Sequence, residues 1–416
     1  MSSFSWLDSS EQERTQILDV ISLFHEKKTR DELGIGLVRD AFADLFFPGT
    51  STIQTRARYF LFIPWLYLDL ERLRVKSADV ERRGRNEEVR LIKTLYANGA
   101  VDGLIGIQAR RSLKRLPSTI YWQGLNAWGI RRYDGSQASY HRSLDGFYTA
   151  QAEAKQMRRD NRAGENAAEI QLRQLTNWDP GVAELRPKDF PNGATFALSQ
   201  DEAAYLKERI IMAQPHSLLA FLVAETAPLP PTGFIWEQPV SRELPDRLRE
   251  QLHHARLFSL LIHGAALLYN LMLAELSAAG GRADAPDLVD EYQGKLSRWA
   301  QEVESETAVL RRWDWQTRFW EIVQVGNPRL HPRTRQFVNE WLRLVVPDQA
   351  TAIADSPFAR QLIHQRELRL KGKLARLANP RALEMWGGKA GTGRLDYRWG
   401  VTQTLLGDIH GGLHHA

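Results

Sequence analysis

Residues 257–274 read LFSLLIHGAALLYNLMLA, an apolar run that suits either the core of a buried helix or a membrane span. The choice between them decides the fold. Its 18 residues are about the minimum for crossing a bilayer as a helix, but His263 and Asn270 stand inside the run and no second candidate span accompanies it. Polar groups are costly in hydrocarbon, whereas a protein interior supplies them with partners. The spacing also continues a helical period that begins near Leu248. The stretch therefore reads as the central helix of a soluble helical core, with no membrane association.

Upstream of it, APLPPTGFIWEQP at 227–239 cannot continue a helix, because proline lacks the amide hydrogen and clashes with the preceding turn. It separates a middle segment from a helical C-terminal region. Earlier helix starts are marked by capping boxes, in which Ser10 pairs with Glu13 and Ser199 with Glu202. After the first of these, Ile17, Val20, Ile21 and Phe24 recur at helical spacing. A weaker boundary lies in the polar stretch EAKQMRRDNRAGENAAE at 153–169, a solvated helix or a linker. NWDPGVAELRPKDFPNG at 177–193 reads as an irregular loop. The expected organisation is a mainly α, multi-helical protein with regions 1–150, 151–239 and 240–416.

Composition narrows the classes of function. The absence of cysteine excludes disulfides, thiolate nucleophiles and cysteine metal sites, and fits a reducing compartment. MSSFSWLDSSEQER lacks the basic start and apolar run of a signal peptide, so a cytoplasmic location is expected. Lys and Arg total 55 against 50 acidic residues, a formal charge of +5. That small excess makes the distribution of charge more informative than its sum.

Two arginines stand at the mouth of another apolar stretch, FFPGTSTIQTRARYFLFIPW at 46–65. Ser51 and Gln54 have capping-box spacing after the Pro48-Gly49 turn, which predicts a helix starting near Thr52. Free backbone N–H groups in its first turn, with Arg56 and Arg58 close behind, would form an anion site. Alternatively the arginines pair with Asp40 and Asp44, which lie four apart on one face of the preceding segment. Asp31, Glu32, Asp40 and Asp44 have no histidine or second acidic cluster beside them, so no metal site is expected.

The strongest binding signal is GLIGIQARRSLKRLPSTIYWQGLNAWGIRRY at 103–133, with six basic residues and no acidic one. Pro117 suits the first turn of a helix and Gly129 the position past its end, so 118–128 is expected to form a short helix of helix-turn-helix type. Ile120, Tyr121, Leu125 and Trp128 share one face. Thr119, Trp122, Gln123 and Asn126 occupy the other and are suited to base edges, while Arg110, Arg111, Lys114, Arg115, Arg131 and Arg132 are suited to phosphates. The bland alternative is a solvated helix whose basic flanks face water or an acidic neighbour. A second basic stretch, 360–398, carries ten Lys or Arg against Glu367, Glu384 and Asp396. It could follow a nucleic-acid backbone or lie across a partner protein.

Three fragments imitate catalytic motifs, and each lacks a required companion. GDIHGG at 407–412 resembles part of a metallophosphoesterase site, with no further ligands downstream. HEKKTRDE at 25–32 approaches a phospholipase D pattern with Glu32 where aspartate belongs, and GGKAGTG at 387–393 has no hydroxyl residue after its lysine. His253, His254 and His263 lack the spacing of a zinc helix. A non-enzymatic protein without cofactor is expected.

Residues 31–65 (DELGIGLVRDAFADLFFPGTSTIQTRARYFLFIPW) and 376–399 (RLANPRALEMWGGKAGTGRLDYRW) resemble the two ends of an uncharacterised bacterial family, known only as a domain of unknown function. The likeness spans nearly the whole chain. The resemblance associates the chain with mobile defence islands, beside helicases and phospholipase D-like proteins. The resemblance therefore implies an accessory subunit in antiphage defence, partnered by a helicase or nuclease subunit, and the basic stretch 103–133 adds the expectation of weak contact with nucleic acid, DNA first. It carries over no catalytic or binding residue. The rival expectations are a purely structural adaptor and a divergent metal-dependent nuclease.

Overall fold

In the computed structural model the apolar run lies in the middle of a helix that extends over Asp246–Ala279. Residues 31–106, 115–159, 175–226, 229–346 and 350–414 are described; the capping box at Ser10 and the 25–30 part of HEKKTRDE lie outside them. Among the described residues there is no β-strand, only an isolated antiparallel bridge between Arg131 and Trp178. The protein is mainly α and multi-helical, as its periodicity predicts.

In chain order the helices are α1 (Gly36–Phe46), α2 (Tyr59–Arg72), α3 (Ser77–Ala97), α4 (Pro117–Ala127) and α5 (Gln137–Arg159). After them come α6 (Pro180–Glu184), α7 (Gln200–Ala213), α8 (Leu218–Ala224) and the long α9 (Asp246–Ala279). The C-terminal part holds α10 (Ala285–Ser305), α11 (Thr307–Leu310), α12 (Arg318–Gly326), α13 (Pro332–Val345), α14 (Pro357–Lys371), α15 (Pro380–Glu384) and α16 (Trp399–His414). Local chemistry explains many of the starts. Pro180, Pro332, Pro357 and Pro380 each open a helix, where a missing amide hydrogen costs nothing. Asp179, His331, Ser356 and Asn379 stand before them as side-chain caps. The capping box of Ser199 and Glu202 is complete at the start of α7.

The chain divides into two compact units, each built from two separate stretches. One comprises the residues up to Phe42 together with Arg249–Leu395. Here α9 is the axis: 83% of its apolar window is buried, and Trp299 and Trp341 donate their indole N–H groups to the carbonyls of Leu260 and Leu261 at 2.8 and 2.9 Å. Gly264 allows the close approach, since a Cβ there would stand 2.2 Å from the Trp299 ring. The polar residues of the run form a stripe that holds the glycine-rich segment after α15. Asn270 exchanges two hydrogen bonds with the Ala390 peptide (2.7 and 2.8 Å), His263 donates to the Thr392 carbonyl, and Ser259 donates to that of Leu395.

The second unit comprises Ala43–Leu248 and Asp396–Ala416. Its centre is the first part of α2, apolar on every side, with Tyr59 through Tyr67 all buried. Phe60 stacks on Trp128 at 3.8 Å, while Tyr67, Trp122, Tyr140 and Trp178 pack edge to face around one another. α3 packs on α5, and the C-terminal helix α16 packs on α7 and α8.

The helix expected near Thr52 begins instead at Tyr59. The Gln54 side chain does accept the Ser51 N–H (3.1 Å), but the next N–H groups are taken by tertiary partners that hold the chain out of helix. Thr55 and Arg56 donate to the Tyr121 hydroxyl at 2.8 and 3.1 Å, and Ala57 donates to the Asp408 carboxylate at 2.8 Å.

Candidate nucleic-acid interface

The question posed by Arg56 and Arg58 has a two-part answer. The combination of a guanidinium and a free N–H at 56–57 does grip an anion, and the anion is internal. Asp408 accepts from Arg56 Nε and Nη2, the latter at 2.7 Å, as well as from Ala57. Arg58 pairs with Glu202 at 2.7 Å and donates to the Thr195 carbonyl at 3.0 Å. Asp40 and Asp44 are therefore not the partners: Asp40 pairs with Arg39 at 3.0 Å and Asp44 with Arg398 at 2.6 Å. Asp31 accepts the N–H groups of Ile35 and Gly36 at the start of α1, and Glu32 is buried against Lys371 and Arg376. GDIHGG lies inside α16, where Asp408 does this structural work.

In the first basic stretch the proline and glycine punctuation is as read: α4 runs Pro117–Ala127, and Gly129 takes a left-handed φ of +65°. The outward face needs correction. Thr119 and Gln123 are exposed, but Trp122 is buried, with its indole N–H on the Gly135 carbonyl at 3.0 Å. Tyr121 packs on Phe60 of α2 while Trp122, a residue further round the helix, packs on Tyr140 of α5, so two faces of α4 are covered and a stripe model with one apolar face fails. Arg131 is only 2% exposed; it stacks 4.6 Å above the Trp122 ring, bonds the Gly135 carbonyl, and has its pKa lowered by burial. Arg132 pairs with Asp179 at 3.0 Å, Asn126 donates to the Arg131 carbonyl, and Arg115 is half-buried. Arg110, Arg111 and Lys114 lie outside the described residues.

The second basic stretch separates into two groups. Arg360 pairs with Glu275, Arg394 with Glu302, Arg398 with Asp44, and both Lys371 and Arg376 with Glu32. Arg366 is buried among the carbonyls of Leu33, Gly34 and Arg333. Burial by itself would push the Glu367 carboxyl up, but the Tyr269 hydroxyl, the Leu377 and Arg376 N–H groups and Lys371 together hold it below the ordinary value. The second group, Arg369, Lys373, Arg381 and Lys389, is exposed with no ion-pair partner among the described residues.

Three further cations, which sequence reasoning did not single out, join this group. Arg329, Arg333 and Arg335 are exposed around the start of α13. Arg366 links the two places, because it bonds the Arg333 carbonyl while Arg369 follows one turn later on α14. Asn379 donates to the Lys373 carbonyl at 2.6 Å and fastens the start of α15 beside the end of α14. No acidic residue occurs within 329–335 or 368–383. The helix dipole adds partial positive charge at the α13 start. Leu374 and Met385, 65% and 84% exposed, are interleaved with the cations. The available signal was the local lack of acids rather than the number of bases.

The chain belongs to a family of unknown function, DUF6361, whose model matches residues 1–148 and 167–412. No curated protein and no solved structure matches it significantly.

Proposed function

We propose that this DUF6361 protein is a non-enzymatic accessory subunit of a bacterial antiphage-defence complex that contacts nucleic acid, DNA first, through the basic face around α13–α15. The observation that carries the reading is the set of exposed cations, Arg329, Arg333, Arg335, Arg369, Lys373 and Arg381, in two acid-free stretches linked by Arg366. Unpaired surface cations bind phosphates without reading sequence, so the affinity is weak, salt-dependent and tolerant of sequence. The test is fluorescence anisotropy with a short duplex over a KCl titration. Replacing Arg369, Lys373 and Arg381 together by Glu should weaken binding and flatten the salt slope by roughly 0.9 per phosphate contact removed. Equal affinity and slope, with the melting curve unchanged, would refute the reading.

The exposed Leu374 and Met385 favour a second reading, in which the same face docks a protein such as a helicase or nuclease subunit. In that case Leu374→Ser with Met385→Ser removes partner binding and leaves DNA affinity intact. The non-enzymatic part is tested by incubating the protein with DNA, RNA and ATP in Mg²⁺ or Mn²⁺. Turnover abolished by Asp40→Ala with Asp44→Ala would overturn it.

A further inference from the structure

The unit formed by Ala43–Leu248 and Asp396–Ala416 holds a groove of about 400 Å³ between the second half of α2, the middle of α3 and segment 186–191. Its chemistry is independent of the basic face described above. Four guanidiniums line it: Arg72 from α2, Arg83 and Arg90 from α3, and Arg186. Two carboxylates, Asp69 and Glu87, also line it, so four minus two leaves two positive charges in excess. The floor is apolar, built from Leu66, Leu70 and Phe190.

The arginines differ in how firmly they are held. Arg186 is fixed: it pairs with Asp69 at 2.7 Å, donates to the carbonyls of Pro187 and Phe190, and lies 5.4 Å over the Phe190 ring. Its Nε is nevertheless buried with no hydrogen-bond partner. Arg72 shares Asp69 at a longer 3.3 Å, and Arg90 is held loosely, by Glu87 at 3.6 Å and the Asn192 side-chain oxygen at 3.3 Å. Arg83 has no ion-pair partner among the described residues. One side of the groove is thus preorganised while the other keeps cations available to a ligand.

A concave site with low-dielectric walls concentrates the potential of its charges. Two excess positive charges complement a phosphate monoester, which carries about −1.5 to −2 at neutral pH. Guanidinium planes engage phosphate oxygens two at a time. The apolar floor suits the uncharged body of such a ligand, and the volume lies within the range of small-molecule sites. The geometry points to this groove as a binding site for a phosphomonoester of mononucleotide size, either a free nucleotide or the 5′-phosphate end of a strand.

The test is isothermal titration of the full chain at 150 mM NaCl with four probes: AMP, adenosine, a 5′-phosphorylated tetranucleotide and its unphosphorylated twin. At least one phosphorylated probe binds in the micromolar range, and its unphosphorylated counterpart binds at least tenfold more weakly. Binding of AMP alone identifies a free nucleotide, and binding of the tetranucleotide alone identifies a strand end. Arg83→Ala and Arg90→Ala each weaken binding by about tenfold, the loss expected for one charge-assisted hydrogen bond, and Arg83→Lys retains part of the affinity. Both side chains are exposed, and an unchanged melting curve confirms that the variants fold. The inference is overturned if neither phosphorylated probe binds below millimolar concentration, if adenosine matches AMP, or if Arg83→Ala combined with Arg90→Ala binds as the parent does.

Discussion

Replacing Asp408 by Ala removes the internal anion on which residues 56–57 close. The carboxylate accepts from Arg56 Nη2 at 2.7 Å, from Arg56 Nε at 3.0 and 3.1 Å, and from the Ala57 N–H at 2.8 Å. A hydrogen bond to a charged group contributes about 1.5–3 kcal/mol, and truncating one partner of a buried ion pair costs about 3–5 kcal/mol. The Arg56 side chain is 23% exposed, so water recovers part of that loss and about 3 kcal/mol remains. For a cooperative unit of roughly 150–250 residues, 1 kcal/mol moves the melting temperature by about 2–4 °C, which predicts a fall of about 6–12 °C. Differential scanning calorimetry reads it directly. Formate carries the same carboxylate group as the deleted side chain, so 0.1 M formate should restore more of the melting temperature in the variant than chloride at equal ionic strength does. A fall of less than 2 °C, or equal effects of the two salts, would refute the assignment of Asp408 as the ligand of Arg56 and Ala57.

Glu88 is buried, and burial first of all raises its pKa from 4.5 to about 7, against the two hydrogen bonds from Ser118 and the charge of Arg85. A carboxyl whose folded pKa lies above its unfolded value supports the fold while protonated. Stability therefore falls as pH rises from about 4.5 to about 7, and Glu88→Gln should gain up to about 3 kcal/mol at pH 8 in urea unfolding and little at pH 4.5. Asn270→Ala leaves the buried N–H and carbonyl of Ala390 without their partner, so limited proteolysis should cut within 387–393 sooner, with a stability loss of about 3 kcal/mol. Trp122→Ala should cost about 3–5 kcal/mol and Gln123→Ala less than about 0.5 kcal/mol, because the first side chain is core and the second faces water. Equal losses at 122 and 123 in chemical denaturation would contradict the burial of α4 on two faces.

Local physics was legible in the sequence. The period and polar exceptions of 257–274 announced a buried helix, the capping box at Ser199 marked the start of α7, and Pro117 with Gly129 bounded α4. Each of these signals is decided within a turn or two of the chain, by amide hydrogens, side-chain caps and the 3.6-residue repeat. Pairing was not legible. Arg56 meets Asp408 across 352 positions, Arg58 meets Glu202 across 144, and a box with correct spacing at Ser51 and Gln54 yields no helix because Tyr121 and Asp408 take the N–H groups first. The same rule governs which cations can bind something else. The densest basic run by sequence has Arg131 and Arg132 engaged within the fold, whereas Arg369, Lys373, Arg381 and Arg83 stay exposed. A charge is written in the sequence, but whether it is satisfied depends on which distant segment the packing of apolar faces brings within about 4 Å, and only the tertiary structure decides that.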